Sequence, residues 1–308
     1  MARMRQYVTY LAVRVAICIV QALPLAACRR VAFSLAWLFA DVLRFRRSII
    51  DDNLRRSFPE ADEARRAKLA RRMWRHLLLF VAEVAHTPRK IHASNWRDYV
   101  RIRDSAGLVR LLLADRPVLM VTAHFGNFEL AGYIFALFGY AFHAVARPLD
   151  NPFLDEFVHR ARCQGRLRIL SKKGDYERIG EILAGGGNVS FLADQYAGSK
   201  GCWVDFFGRE ASAHKAIALF ALHHDAPVAV GCCRRTGEPL HYEMTLEGVA
   251  DPRDGNENTA GVRELTQWFT SRLEDGVRRA PEQYWWLHRR WKDNRLKGKR
   301  RRAAKSAA

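Results

Sequence analysis

From residue 96 onward, short apolar runs rich in β-branched residues alternate with stretches in which apolar residues recur every three or four positions. The first pattern reads as buried strands and the second as helices with one buried face. The runs at 96–102, 117–123, 142–146, 167–170, 188–192, 227–233 and 242–246 predict strands. Helices are predicted at 105–114, 128–139, 152–164, 176–184, 212–223 and 259–277. This alternation predicts an α/β fold with a mostly parallel central sheet flanked by helices. Before it, residues 61–86 place Leu69, Met73, Trp74, Leu77, Leu78, Val81 and Val84 at helical spacing, which predicts one long amphipathic helix.

Residues 1–47 have another character. VAICIVQALPLAAC (15–28) lies between Arg14 and Arg29, and VAFSLAWLFADVL (31–43) between Arg30 and Arg44. Each run is shorter than the ~20 residues that span a bilayer. Joined over 8–43 they have the length, but Arg14, Arg29, Arg30 and Asp41 interrupt them. The favoured expectation is a pair of helices lying in one leaflet with the arginines at the headgroups. A single shallow crossing and a pair of ordinary core helices are the alternatives. MARMRQ followed by an apolar run to LAAC imitates a lipoprotein signal, and Arg14 inside that run argues against it. The expected organisation is a membrane-anchoring segment over 1–47, a main α/β domain over 48–294 and a disordered basic tail over 295–308.

Charge narrows the partners. With Lys+Arg 51 against Asp+Glu 32, the chain of 308 residues carries +19, which favours a surface of opposite sign. The excess is spread through helices, and no nucleic-acid-binding motif accompanies it. An anionic membrane and an acidic protein fit better. None of Cys18, Cys28, Cys163, Cys202, Cys232 and Cys233 forms a C-x-x-C pair, and most lie in apolar runs. They read as reduced thiols and place the main domain in the cytosol.

The candidate chemistry lies in HFGNFE (124–129), between a predicted strand and a predicted helix. Asn127 is a good N-cap, so His124 falls in the turn and Glu129 in the first helical turn. On one helix, residues five apart point about 140° away from each other; with His124 on the turn, the chain can fold the Glu129 carboxylate back to the imidazole. A carboxylate on one ring nitrogen leaves the other as a base. Gly126 lets a substrate approach the backbone, and the helix start offers N–H groups to an anion. The competing reading is a capped helix with a polar turn. His223-His224-Asp225 looks like a metal cluster, but adjacent histidines seldom converge on one ion and no spaced partner is evident.

HFGNFE resembles the His-x4-acidic signature of the glycerolipid and lysophospholipid acyltransferase superfamily. Further blocks, ARPLDNP (146–152), LADQYAGSKGCWVDFFGREASAHKAIA (192–218) and PEQYWWLHRRWK (281–292), with a weaker one at 46–60, resemble the bacterial late acyltransferases of lipid A biosynthesis. The resemblance implies transfer of a fatty acyl group from an acyl carrier protein thioester, or acyl-CoA, to a hydroxyl of a lipid A precursor. It places the enzyme at the cytoplasmic face of the inner membrane and implies no metal and no cofactor. His124 would be the base and Glu129 its orienting carboxylate. Arg147 would meet a phosphate or headgroup. Asp194 and Gln195 would lie beside the acceptor, Asp194 holding Arg147 or a substrate hydroxyl, with Gly126 and Asn127 completing the substrate site. Trp203, Phe206 and Phe207 read as acyl-chain wall or core, and the closing 284–288 aromatic stretch as packing. Two rivals stand: a superfamily member with another acceptor (glycerolipid, ornithine-type lipid, mannolipid or polyene), and a lipid-binding protein without turnover.

Overall fold

A computed structural model describes residues 1–163, 167–171 and 174–292. The expected helix end at Gln164 and the expected tail over 295–308 lie outside them. The apolar runs form strands β1 (Val100–Ile102), β2 (Leu119–Thr122), β3 (Phe142–Ala146), β4 (Leu167–Ser171) and β5 (Asn188–Leu192), followed later by β8 (Val228–Arg235) and β9 (Tyr242–Ala250). They join in one seven-stranded sheet of order β1-β9-β8-β2-β5-β3-β4. Strands β8, β2, β5, β3 and β4 run parallel, and β9 is antiparallel to β8 with β1 beside it. The fold is thus α/β with a mostly parallel sheet, as the alternation requires.

Helices cover both faces. On one lie α8 (Tyr176–Ala184), α9 (Ala216–His223) and α10 (Val262–Arg279), whose Leu183, Ile217, Ala221 and Phe269 close over Val121, Val189 and Val230. On the other lie α5 (Ser105–Leu113), α6 (Phe128–Leu137) and α7 (Pro152–Arg162). There Leu108 and Ala136 meet Phe142 and Leu167, and Ile134 meets Val100 and Met244.

One helix is shorter than expected. Residues 202–213 form a hairpin of β6 (Cys202–Asp205) and β7 (Glu210–Ala213), and α9 begins only at Ala216. Phe207 and Gly208 both take positive φ, 58° and 68°, and Phe206 and Arg209 exchange backbone hydrogen bonds around them. That is a two-residue turn matched to strand twist. Phe-Gly lacks the Asn-Gly signal that marks such turns from sequence.

The first helices pack at the margin of this core. α1 (Ala2–Ala22) buries no side chain, while α2 (Leu25–Trp37) buries Cys28, Ala32 and Ala36, the last within the same cluster as Val121. α3 (Arg47–Ser57) and the long α4 (Glu63–Lys90), capped by Asp62 accepting the Arg65 N–H, complete the helical part. α1 lies across α4 and α7, held by Tyr7 on Phe153, Tyr10 near Phe157, and Gln21 donating to the Ala85 carbonyl. Val8, Leu11, Val15 and Ile19 remain exposed on its outer side. Among the described residues, no helix is long and apolar enough to cross a membrane.

Candidate active site

Sheet register builds the site. Strands β2 and β5 are parallel neighbours with Thr122 opposite Leu192, and both end at the same sheet edge. The Ala193 N–H continues the ladder to the Thr122 carbonyl. Two residues past the paired positions, His124 and Asp194 therefore emerge side by side. Asp194 Oδ1 lies 2.8 Å from His124 Nδ1, and its Oδ2 accepts the His124 backbone N–H at 3.1 Å. The carboxylate is buried, which opposes its charge. The charge and hydrogen bonds of His124 outweigh burial and hold the Asp194 pKa at about 2.

This corrects the expectation for Glu129. Its carboxylate does not turn back to His124; it forms a two-pronged pair with Arg162 of α7, with Arg162 Nε donating at 3.0 Å. Asn127 starts α6 by accepting the Leu130 N–H at 2.9 Å, which places Glu129 in the first helical turn, facing α7. His124 and Glu129 of HFGNFE thus have separate partners.

The remaining expected residues divide between wall and frame. Gly126 takes φ +58°, and a Cβ there would overlap the Cys233 carbonyl oxygen, so the glycine admits β8 rather than a substrate. Asn127 is fully buried as the cap of α6 and offers no surface to a ligand. Asp194 is spent on His124 rather than on Arg147. Arg147 reaches instead to Asp150, with its side chain 76% exposed. Gln195 does line the site, its Nε2 standing 3.3 Å from His124 Nε2.

These groups border a cavity of about 1140 Å³. His124, Glu129, Arg147, Arg162 and Gln195 stand on its wall, and Met120, Phe135, Ala144 and Ile169 make its apolar lining between the sheet and α6. Phe128 and Trp285, both packed against the His124 ring, stand at the polar end. Phe206 and Phe207 instead pack on Trp286, Tyr284 and Trp291 in the core.

His288 is the residue that reading the closing stretch as packing missed. Its ring centre lies 5.1 Å from that of His124 and it stacks on Trp285. Burial, then the neighbouring His124 charge, lower its pKa to about 4, so it stands neutral beside His124. The one signal in the sequence was a histidine set among the aromatics of that block.

A strand-end imidazole held by a buried carboxylate opens here on a largely apolar cavity, an arrangement that suits an enzyme with an apolar substrate. The comparisons give the family. The chain belongs to the bacterial lipid A biosynthesis acyltransferase family, whose model matches residues 1–293. It is 28% identical over 258 residues to the lipid A biosynthesis palmitoleoyltransferase of Escherichia coli (strain K12), covering 81% of this chain and 80% of that protein. To the lipid A biosynthesis lauroyltransferase of the same organism it is 26% identical over 299 residues, covering 94% and 92%. A solved structure with some likeness is the 1-acyl-sn-glycerophosphate acyltransferase PlsC from Thermotoga maritima, at 14% identity and TM-score 0.40, covering 88% of this chain and all of that one. The protein is an acyltransferase of the lipid A family.

Proposed function

We propose that the enzyme transfers a fatty acyl group from an acyl carrier protein thioester, or acyl-CoA, to a hydroxyl of a lipid A precursor. The observation that carries this reading is the pairing of His124 with the buried Asp194 carboxylate at the wall of the apolar cavity. Asp194 keeps the Nδ1 proton of His124, leaving Nε2 to accept the hydroxyl proton. The hydroxyl oxygen forms its bond to the thioester carbonyl carbon, the carbon–sulfur bond breaks, and the proton passes from Nε2 to the departing thiolate. The N–H groups of Phe128 and Glu129 have no acceptor within α6 and suit the oxyanion, since the first N–H groups of a helix carry partial positive charge. Arg147 and Arg162 flank the same cavity and suit the phosphates of an anionic acceptor. Glu129 serves by holding Arg162.

The exposed apolar row of α1, with the net charge of +19, supports peripheral attachment to an anionic inner-membrane leaflet on its cytoplasmic side. The test is acyl transfer by purified protein in detergent, from carrier-protein and CoA thioesters to a tetra-acylated lipid A precursor, read by mass spectrometry. Gain of a single acyl mass is expected, with the carrier-protein donor preferred. Donor consumption only with a whole-lipid extract would shift the acceptor to another lipid. Absence of turnover with either would leave a lipid-binding protein.

A further inference from the structure

Behind the His124 turn, away from the cavity, lies a second buried polar cluster. Helix α4 supplies His76 and Glu83, two turns apart on one stripe, and both are almost wholly buried. Every Glu83 oxygen is satisfied. Oε1 accepts from Arg235 Nε at 3.0 Å and from the Leu240 N–H at 2.7 Å; Oε2 accepts from Arg235 and the Tyr242 hydroxyl. Arg235 then reaches His76, its Nη1 lying 2.7 Å from Nδ1. On the other side of that ring, Nε2 lies 3.1 Å from the Gly126 carbonyl oxygen.

Elementary chemistry assigns the protons. A guanidinium only donates, so His76 Nδ1 must accept. A carbonyl only accepts, so Nε2 must carry the proton. His76 is therefore a neutral imidazole with one permitted tautomer, and burial beside Arg235 lowers its pKa in the same sense. The carbonyl it holds belongs to the peptide between His124 and the start of α6, at a glycine whose missing Cβ lets the backbone take a left-handed φ. The turn is further held by backbone groups, the Gly126 N–H to Gln283, the Asn127 N–H to Cys233 and the His124 carbonyl from Trp285, and by Asp194 Oδ2, which accepts the His124 N–H.

We infer that His76 is a positioning residue for acyl transfer: locked by Arg235 and Glu83, it pins the Gly126 carbonyl and so fixes His124 against the first N–H groups of α6. The inference rests on the reading of His124 as the base. Gln at position 76 offers an acceptor to Arg235 and a donor to Gly126, whereas Leu offers neither. His76→Leu is expected to lower kcat roughly 10- to 100-fold with KM for donor and acceptor held within about twofold, while His76→Gln stays within about threefold of the parent. Both are assayed well below their melting temperatures. Ring-nitrogen NMR of histidine-labelled protein supplies a readout apart from turnover. It should find the His76 proton on Nε2, and the His124 ring signals should move in His76→Leu but not in His76→Gln. A parental kcat in His76→Leu, equal damage in both folded variants, or a His76 proton on Nδ1 would each overturn the inference. If the parent transfers no acyl group, the functional reading fails, and the ring signals still decide the clamp.

Discussion

Asp194→Asn removes one negative charge from the site and almost no volume. In the parent, the carboxylate accepts from both Nδ1 and the backbone N–H of His124. Burial alone would raise its pKa above 3.8, yet His124 brings it to about 2. At 1.36 kcal/mol per unit, that difference is roughly 2 kcal/mol of favourable coupling. The same carboxylate holds the Nδ1 side of the ring and favours the imidazolium that forms as the acceptor proton moves. Its loss costs about 30- to 100-fold in kcat, at tenfold per 1.36 kcal/mol. A carboxamide that turns its N–H toward Nδ1 also selects the wrong tautomer, which deepens the loss. The assay is kcat and KM for acyl transfer, with Glu129→Gln alongside. Asp194→Asn should lower kcat by that factor, with KM for the acceptor held within about twofold. Glu129→Gln should act through Arg162, mainly by raising KM for an anionic acceptor. A parental kcat in Asp194→Asn, or a kcat loss in Glu129→Gln as deep as that in Asp194→Asn, would refute the assignment.

Other expectations follow from single contacts. Gly126→Ala sets a methyl group against the Cys233 carbonyl at a left-handed φ, so thermal denaturation should show a loss of several kcal/mol, about what overpacking and backbone strain add up to; a parental melting temperature would contradict this. His288 has a folded pKa of about 4 against 6.5, so the fold favours its neutral form and stability is lost as pH falls from 6.5 toward 4. The full contribution is roughly 3 kcal/mol at 1.36 per unit. Denaturant titrations of His288→Phe should show a shallower fall over that window, His76 supplying the remainder in the same sense. Glutamates in place of Leu11 and Ile19, both exposed on α1, should weaken co-sedimentation with anionic vesicles and leave the melting temperature unchanged. Undiminished vesicle binding would remove α1 from the attachment surface.

Local patterns carried most of the fold. Residues 142–146, 176–184 and 188–192 form their elements at the expected bounds, because each is a clean period bounded by turn residues. The one long amphipathic helix over 61–86 was also legible, and it forms as α4. The β6–β7 hairpin was not, because its turn depends on positive φ at Phe207, a residue type that rarely adopts it. At the site, a motif read along the chain offers Glu129, five residues from His124, as the partner. The actual partner lies 70 positions away and is selected by the register of β2 on β5. Asp194 was legible as a site residue but not in its role, and the same holds for Gly126 and Asn127, which frame the turn. His288 was read as packing because its neighbours are aromatic; only the return of the 284–288 stretch to the His124 turn, through Phe125 and Tyr284, brings it to His124.

The account stands on His124 as the base in acyl transfer, and single-turnover transfer by His124→Ala tests that most directly. With a carrier-protein thioester and a tetra-acylated lipid A precursor, the variant should remain folded and still bind donor and acceptor. The single acyl mass gain should fall by about 10²- to 10⁴-fold, the range a positioned base supplies. Transfer at the parental rate by a folded His124→Ala protein would contradict the account.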